Sequence, residues 1–378
     1  MRRIAFLYHR FFDGEGKQIV IGGIETYLQR LFVLAAGIGF EPILFQSSQI
    51  LFERKVGKAV VHGLPIQSET LDRQNQLLYD AAVGHVDKVD LIVFSTELCS
   101  VPTERKRVIS IQHGVYWDLP LGTMTRLTWL APEFRLRRLQ ASLVSRAQRL
   151  FENCENRVCV DYNFLNWYRA THGVEVSGNI WVIPNYCCPA REEQIHRADS
   201  ATTRVLFARR FETYRGTRLI ADAIEQVLSK RKDVEFTLAG EGPDFPYLTE
   251  RFKGCSHVQF TRYVPDQSTD VHLQHDVAVI PSLGSEGTSL SVAEAMGAGC
   301  AVVASAVGGI TNMILDGYNG LLARPVAGEF VEAILRLAGD KELRRRLGIN
   351  GYRTAIECFN ARQWDERWKQ VLEHVAAG

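Results

Sequence analysis

The sequence predicts an α/β protein of two domains, each a parallel sheet with helices on both faces. Three observations carry that expectation. Apolar runs of strand length alternate with longer amphipathic stretches from end to end, and such alternation builds parallel sheets covered by helices. The length, 378 residues at 46% hydrophobic, suits two compact units at roughly 150 residues each. A polar stretch at 189–203, rich in charges and containing Pro, Asp, Ser and Thr, then divides the chain in two. The expected domains are 1–188 and 189–358.

In the first half, strands are expected at 4–8, 41–45, 91–95, 108–112 and 157–160. A helix is expected over 24–36, because Ile24, Tyr27, Leu28, Leu31, Phe32 and Ala35 share one face at 3.6-residue spacing. In the second half, strands are expected at 204–208, 235–240, 258–260, 277–281 and 301–305. Between the first two lies an amphipathic stretch at 216–230, with Leu219, Ile220, Ala223, Ile224, Val227 and Leu228 on its apolar side. Open α/β sheets take ligands at the carboxyl ends of their strands. Two facing sheets therefore predict a ligand in a cleft between the domains.

Composition removes several classes. With 44 Lys+Arg against 43 Asp+Glu the formal charge is +1, which argues against a nucleic-acid binder. No apolar run approaches the roughly 18–20 residues of a spanning helix. The amino terminus reads as a buried strand that turns polar at once, not as a cleavable signal. The 8 cysteines form no CxxC pair and read as scattered and reduced, which predicts a cytoplasmic protein. No Cys/His cluster has zinc spacing, and no DxD occurs, the nearest being Asp13-Gly14-Glu15. No protein-held metal and no cofactor are expected.

The chemistry concentrates in PSLGSEGTSLSVAEAMGAGC, residues 281–300. A strand end leads through a Gly/Ser loop into a helix expected near 289–295. The amides of Gly287, Thr288 and Ser289 should point along that helix axis, where an anionic group is favoured. Glu286 sits in the loop and Glu294 lies one to two turns down the helix, so the two carboxylates can touch different parts of one extended ligand. Each taken alone reads as a solvated surface residue; the pattern around them is what argues for a site.

These residues resemble the Glu-x7-Glu motif of retaining glycosyltransferases of family 4, which have the GT-B fold of two facing Rossmann-like domains. GAGCAVVASAVGGI and DGYNGLL continue the resemblance in order. It implies that Glu286 lies near the donor sugar and that Glu294 binds the nucleotide ribose. It also implies that Gly287, Thr288, Ser289 and Leu290 hold the sugar or diphosphate. VLFARRFETYRGTRLI resembles the family's F-V-G-R-L-x-x-x-K-G. Aligned on Gly216, Arg210 and Arg215 become the cations that receive a departing phosphate. Arg215 replaces the usual Lys and Arg209 the usual Gly, which leaves open which of the neighbours Arg209 and Arg210 enters the cleft. The G-x-G-P turn corresponds to Gly240 and Gly242, and the stretch beside the base to Tyr263 and Val264. In the first domain, Gly22 and Gly23 resemble the family's glycine loop. His113, in IQHGVYWD, takes the place of a histidine near the donor sugar, and Asn185 matches an interdomain feature. The terminal stretch 359–378 is implied to pack back on the first domain.

The resemblance implies a hexosyltransferase that retains anomeric configuration and moves a sugar from a nucleotide diphosphate donor (UDP or GDP) to a hydroxyl. The acceptor class it suggests is a cell-envelope or lipid-linked glycan. Alternatives are a nucleotide-sugar epimerase of the same architecture and a noncatalytic nucleotide-sugar binder. A phosphorylase is disfavoured, since no Lys occurs between Lys253 and Lys341 to hold its cofactor. One further stretch, 121–150, carries Arg126, Arg135, Arg137, Arg138, Arg146 and Arg149 against Glu133 alone, interleaved with apolar residues. It reads either as a core-facing helix with a basic solvent face or as a peripheral contact with an anionic membrane surface.

Overall fold

The computed structural model describes residues 2–20, 22–66, 68, 70–85, 90–119, 133–173, 176–195 and 200–378. It divides into two compact units. The first comprises Met1–His113, Arg137–Ile183 and Trp364–Gly378, and the second Gly114–Leu136 and Pro184–Gln363. The division thus falls at Ile183/Pro184, ahead of the expected 188/189 boundary. Chain that reads as linker packs on the second unit: Ala190 N–H donates to Gly297 O at 2.9 Å and Tyr352 Oη to Ala190 O at 2.7 Å.

The first unit holds β1 (Arg2–Leu7), β2 (Phe40–Ser47), β3 (Phe52–Val56), β4 (Ala59–Leu64), β5 (Leu91–Phe94), β6 (Val108–Gln112), β7 (Asn156–Cys159) and β8 (Asn179–Val182). They form one sheet in the order β3-β4-β2-β1-β5-β6-β7-β8, parallel throughout except for the β3–β4 hairpin. Helices α1 (Gly23–Gly37), α2 (Leu71–His85), α3 (Glu133–Glu152, in this unit from Arg137) and α4 (Tyr162–His172) connect the strands. Alternation along the strands sends residues to opposite faces. Ala5, Leu7, Ile92 and Phe94 pack with Leu78 and Ala82 of α2, while Phe6 meets Phe32 of α1 edge-on at 5.0 Å. The hairpin β3–β4 escaped the sequence reading because its outer strand is mostly exposed and charged (FERKV), leaving no apolar run to find.

The second unit holds β9 (Thr203–Ala208), β10 (Val234–Ala239), β11 (Val258–Thr261), β12 (Val277–Ile280), β13 (Ala301–Ser305) and β14 (Leu321–Ala323), all parallel, in the order β11-β10-β9-β12-β13-β14. Its helices are α5 (Glu192–Ile195), α6 (Thr217–Lys230), α7 (Phe245–Arg251), α8 (Ser268–Leu273), α9 (Leu290–Gly297), α10 (Ala327–Gly339) and α11 (Lys341–Cys358). Val277 and Val279 face a core shared with α6 and α10, and Ala278 and Ile280 face one shared with α9. The terminal helix α12 (Ala361–Ala377) lies on α1: Trp368 Nε1 donates to Tyr27 Oη at 2.8 Å and Arg30 grips Asp365 with two bonds.

Of the basic stretch, residues 121–132 lie outside the described residues. The remainder is the start of α3, where Phe134 and Leu139 are exposed beside Arg135, Arg137 and Arg138, and burial begins only at Ala147, Leu150 and Phe151. No described helix is long and apolar enough to cross a membrane.

Candidate active site

In the second sheet the strands step outward one way from β9 through β10 to β11, and the other way from β12 through β13 to β14. A crevice opens at the carboxyl ends of such a strand pair, where ligands of open α/β sheets bind. The loops leaving β9 and β12 meet there. Glu286, on the second loop, is 4% exposed, so the reading of it as a solvated surface residue fails. Its Oε1 accepts from Arg209 Nη2 at 2.7 Å, from Arg215 Nη1, and from Ser282 Oγ at 2.6 Å. Burial alone would raise a carboxyl, but the two guanidiniums outweigh it and hold Glu286 at about 2, below its ordinary 4.5. All three bonds converge on one oxygen, which leaves Oε2 directed elsewhere.

The arginine beside Arg215 is therefore Arg209, and the expected role of Arg210 needs correcting. Arg209 N–H donates to Ala239 O at 3.0 Å, so residue 209 still belongs to the sheet ladder and its side chain turns inward. The next residue points to the opposite side. Arg210 is exposed and pairs with Glu212 at 2.8 Å. Gly240 and Gly242 lie against this same loop. A Cβ on Gly240 would stand 2.1 Å from Arg209 O, and one on Gly242 2.4 Å from Phe211 O, so only glycine lets the β10 loop pass here.

Helix α9 begins at Leu290 with Ser289 as its N-cap. The expectation that the Ser289 amide faces an anion also needs correcting, because that N–H is directed at Met313 Sδ, 3.2 Å away. Gly287 and Thr288 are buried at the head of the helix, and Asn185 Nδ2 donates to Thr288 O at 2.6 Å. Glu294, on α9, is half-buried, and its carboxyl is pushed up to about 7 by burial, against a hydrogen bond from Ser268 and the more distant Arg209. Tyr263 packs against Leu206, Ala208 and Ala239, and its hydroxyl is raised by burial and by Glu294, which places these two residues near each other. Val264 is 55% exposed.

His113 and the glycine pair lie in the first unit. His113 follows β6, and its Nε2 is 2.9 Å from Ser95 O. A carbonyl only accepts, so Nε2 carries the proton and Nδ1 remains an acceptor. Burial lowers the imidazole to about 4, which keeps it neutral. Gly22 is the extended N-cap of α1 and Gly23 its first residue. The buried carboxylate of Glu25 folds back over Gly22 and accepts from Tyr8 Oη at 2.9 Å, which explains why Glu25 is buried on a helix whose apolar spacing had favoured Ile24. Among the described residues no group of three or more His, Cys, Asp or Glu is placed to hold a metal ion.

Residues 202–340 match the family described as Glycosyl transferases group 1. The matched segment contains Arg209, Arg215, Glu286 and Glu294. Over 151 residues the chain is 33% identical to an uncharacterized glycosyltransferase of Methanocaldococcus jannaschii, covering 39% of this chain and 41% of that one. Over 167 residues it is 28% identical to a lipopolysaccharide 1,2-N-acetylglucosaminetransferase of Salmonella typhimurium, covering 40% and 42%. The similarity thus spans about two fifths of the length of these curated relatives. Among solved structures, sucrose-phosphate synthase from Thermosynechococcus elongatus superposes over 100% of both chains with a TM-score of 0.74 at 18% identity. Anabaena HepE in complex with UDP and glucose does so over 99% and 100%, at 0.69 and 16%. At these identities the likeness establishes the fold, which is GT-B: two α/β units, each on a largely parallel sheet.

Proposed function

We propose that the protein is a glycosyltransferase that moves a hexose from a nucleotide diphosphate sugar to a hydroxyl, with retention and without a protein-bound metal. The observation that carries this reading is the Arg209–Glu286–Arg215 cluster at the switch point of the sheet, with Arg209 and Glu286 buried and Arg215 half-buried, inside the segment matched to group 1 transferases. Two preorganised guanidiniums suit the charge that builds on a departing nucleotide diphosphate. Glu286 holds both arginines through Oε1 and keeps Oε2 for a sugar hydroxyl, while Glu294 is suited to accept from the ribose. The relevant cation pair is Arg209 with Arg215 rather than Arg210 with Arg215. In this reading the leaving phosphate itself takes the acceptor's proton on the same face, which gives retention.

The neighbour solved with UDP and glucose supports a nucleotide-sugar donor, with UDP ahead of GDP as the first trial. The relative named for lipopolysaccharide supports a glycan or lipid-linked acceptor. The exposed Phe134 and Leu139 among the arginines of α3 support peripheral, salt-sensitive contact with anionic lipid.

Thermal shift with UDP, GDP and ADP, followed by sugar release from each binder's glycosylated form, tests the donor. Proton NMR of the product's anomeric centre tests retention, and undiminished transfer in EDTA tests metal independence. Failure to bind or turn over any nucleotide sugar overturns the assignment. Flotation with anionic liposomes, comparing the natural chain with a variant carrying Gln at 135, 137 and 138, tests the membrane contact alone.

A further inference from the structure

We propose that Asp118 is a positioning residue: it clamps the loop that carries Glu286 and so sets where that carboxylate sits. Its consequence for catalysis rests on the glycosyl-transfer reading above, whereas the clamp itself does not.

Among the described residues, Ser285 is the one non-glycine residue with positive φ, at 56°. A side chain is disfavoured in this left-handed region, so the conformation persists only where the surroundings impose it. The residue so held is the immediate neighbour of Glu286. Asp118 Oδ1 accepts the Ser285 amide at 2.7 Å. Asp118 ends a segment, 114–118, whose Val115 and Trp117 are 7% and 5% exposed, so the carboxylate is presented from a packed base.

The same segment touches the other side of Glu286. A Cβ on Gly114 would lie 2.7 Å from Gly287 N and 2.9 Å from its Cα, so the chain passes there in direct backbone contact. Glu286 is thus flanked by the segment at both neighbours, through a side chain at Ser285 and through bare backbone at Gly287. Two backbone bonds also tie the loop: Leu283 N–H to Tyr214 O at 2.9 Å and Gly309 N–H to Glu286 O at 2.8 Å. Tyr214 adjoins Arg215, so the loop is referenced to the cation on one side and to Asp118 on the other. Releasing Asp118 lets Ser285 relax toward an ordinary φ and displaces Glu286 from the arginines. A shift of about an ångström at a reacting centre costs on the order of a hundredfold in rate.

The test is a cycle of Asp118→Ala, Asp118→Asn, Ser285→Gly and the double variant Asp118→Ala/Ser285→Gly in the full chain. Asp118→Ala is expected to lower kcat roughly ten- to a hundredfold with the donor KM within about threefold. Asp118→Asn keeps an Oδ1 acceptor and retains most of the rate. Glycine at 285 has no left-handed penalty, so Ser285→Gly raises the melting temperature more in the natural background than in Asp118→Ala, where Ser285 has already relaxed. Additive melting shifts, an Asp118→Ala enzyme as fast as the natural one, or an Asp118→Asn enzyme as slow as Asp118→Ala would each overturn the proposal. If the natural protein transfers no sugar at all, the functional reading falls, and the melting cycle, run with nothing bound, still decides the clamp.

Discussion

In each sheet two parallel neighbours feed chain to opposite sides, β1 and β5 in the first unit and β9 and β12 in the second, and a buried glutamate follows the later strand at both. Glu97 and Glu286 are 3% and 4% exposed. Their carboxyls nonetheless move in opposite directions. Glu97 is pushed up to about 7, because burial is opposed only by backbone N–H groups, its own and that of His113. Glu286 is held at about 2, because Arg209 and Arg215 overcome the same burial. The neighbours differ accordingly. Around the first switch point the polar groups satisfy one another: His9 Nε2 lies 2.6 Å from Asn75 Oδ1, Tyr8 binds Glu25, and His113 binds Ser95 O. The second concentrates cationic charge. One topology therefore offers a crevice twice, and only side-chain charge decides which crevice suits an anionic diphosphate.

The largest expected effect comes from removing the acid that balances the second site. Glu286→Ala leaves two guanidiniums partly or wholly buried without their partner and should cost about 3–5 kcal/mol in denaturant unfolding. The natural protein's Glu286 contribution is complete above pH 4.5 and is lost as pH falls toward 2, since the folded value is the lower one. A loss below 1 kcal/mol would mean that the arginines find other partners, and the contrast between the sites would weaken.

Next come the arginines themselves. Arg209→Ala and Arg215→Ala should each lower turnover by about two orders of magnitude, as expected for a cation acting on the transition state. Arg210→Ala, at an exposed position, should change it less than about threefold, and Arg215→Lys should retain far more rate than Arg215→Ala. Equal losses at 209 and 210 in steady-state kinetics would remove the assignment of the inward arginine.

Glu294→Ala should weaken nucleotide binding by roughly 1–3 kcal/mol in calorimetry, if the ribose hydroxyls lose a charged acceptor. In the natural protein, affinity should decline as pH drops below about 7, where this carboxyl takes up its proton, and Glu294→Gln should flatten that slope. An unchanged affinity in both variants would exclude the ribose role.

The smallest effect belongs to the first switch point. Because the folded value of Glu97 is raised, its favourable contribution is present below pH 4.5 and is lost as pH rises through 7. Glu97→Gln should therefore gain about 1–2 kcal/mol relative to the natural chain on going from pH 5 to pH 8. The same substitution should leave nucleotide affinity unaltered. Parallel pH–stability curves for the two proteins would show that the carboxyls at the two switch points do not differ as described.

The strands at β1, β5, β6, β9, β12 and β13 were legible because each is a short buried run bounded by polar chain, and α1 and α6 because a helix buries one face at a fixed period. Glu286 and Glu294 were legible as candidates because their spacing to glycines and a strand end is a property of the chain itself, and Arg215 only through the resemblance of its loop, aligned on Gly216. The inward arginine was not. Residues 209 and 210 are chemically identical in sequence, and the choice between them follows from one ladder bond to Ala239 that keeps the first in the sheet. Ser282 and Asp118 were equally hidden, since a hydroxyl or carboxylate announces no partner until a loop from elsewhere in the chain arrives beside it. Local pattern determined the elements and the residue types at their ends, because periodicity and turn chemistry act over a few residues. The tertiary structure decided which charges meet, because burial and distance, which set the strength and even the sign of an electrostatic effect, exist only once separate loops share one crevice.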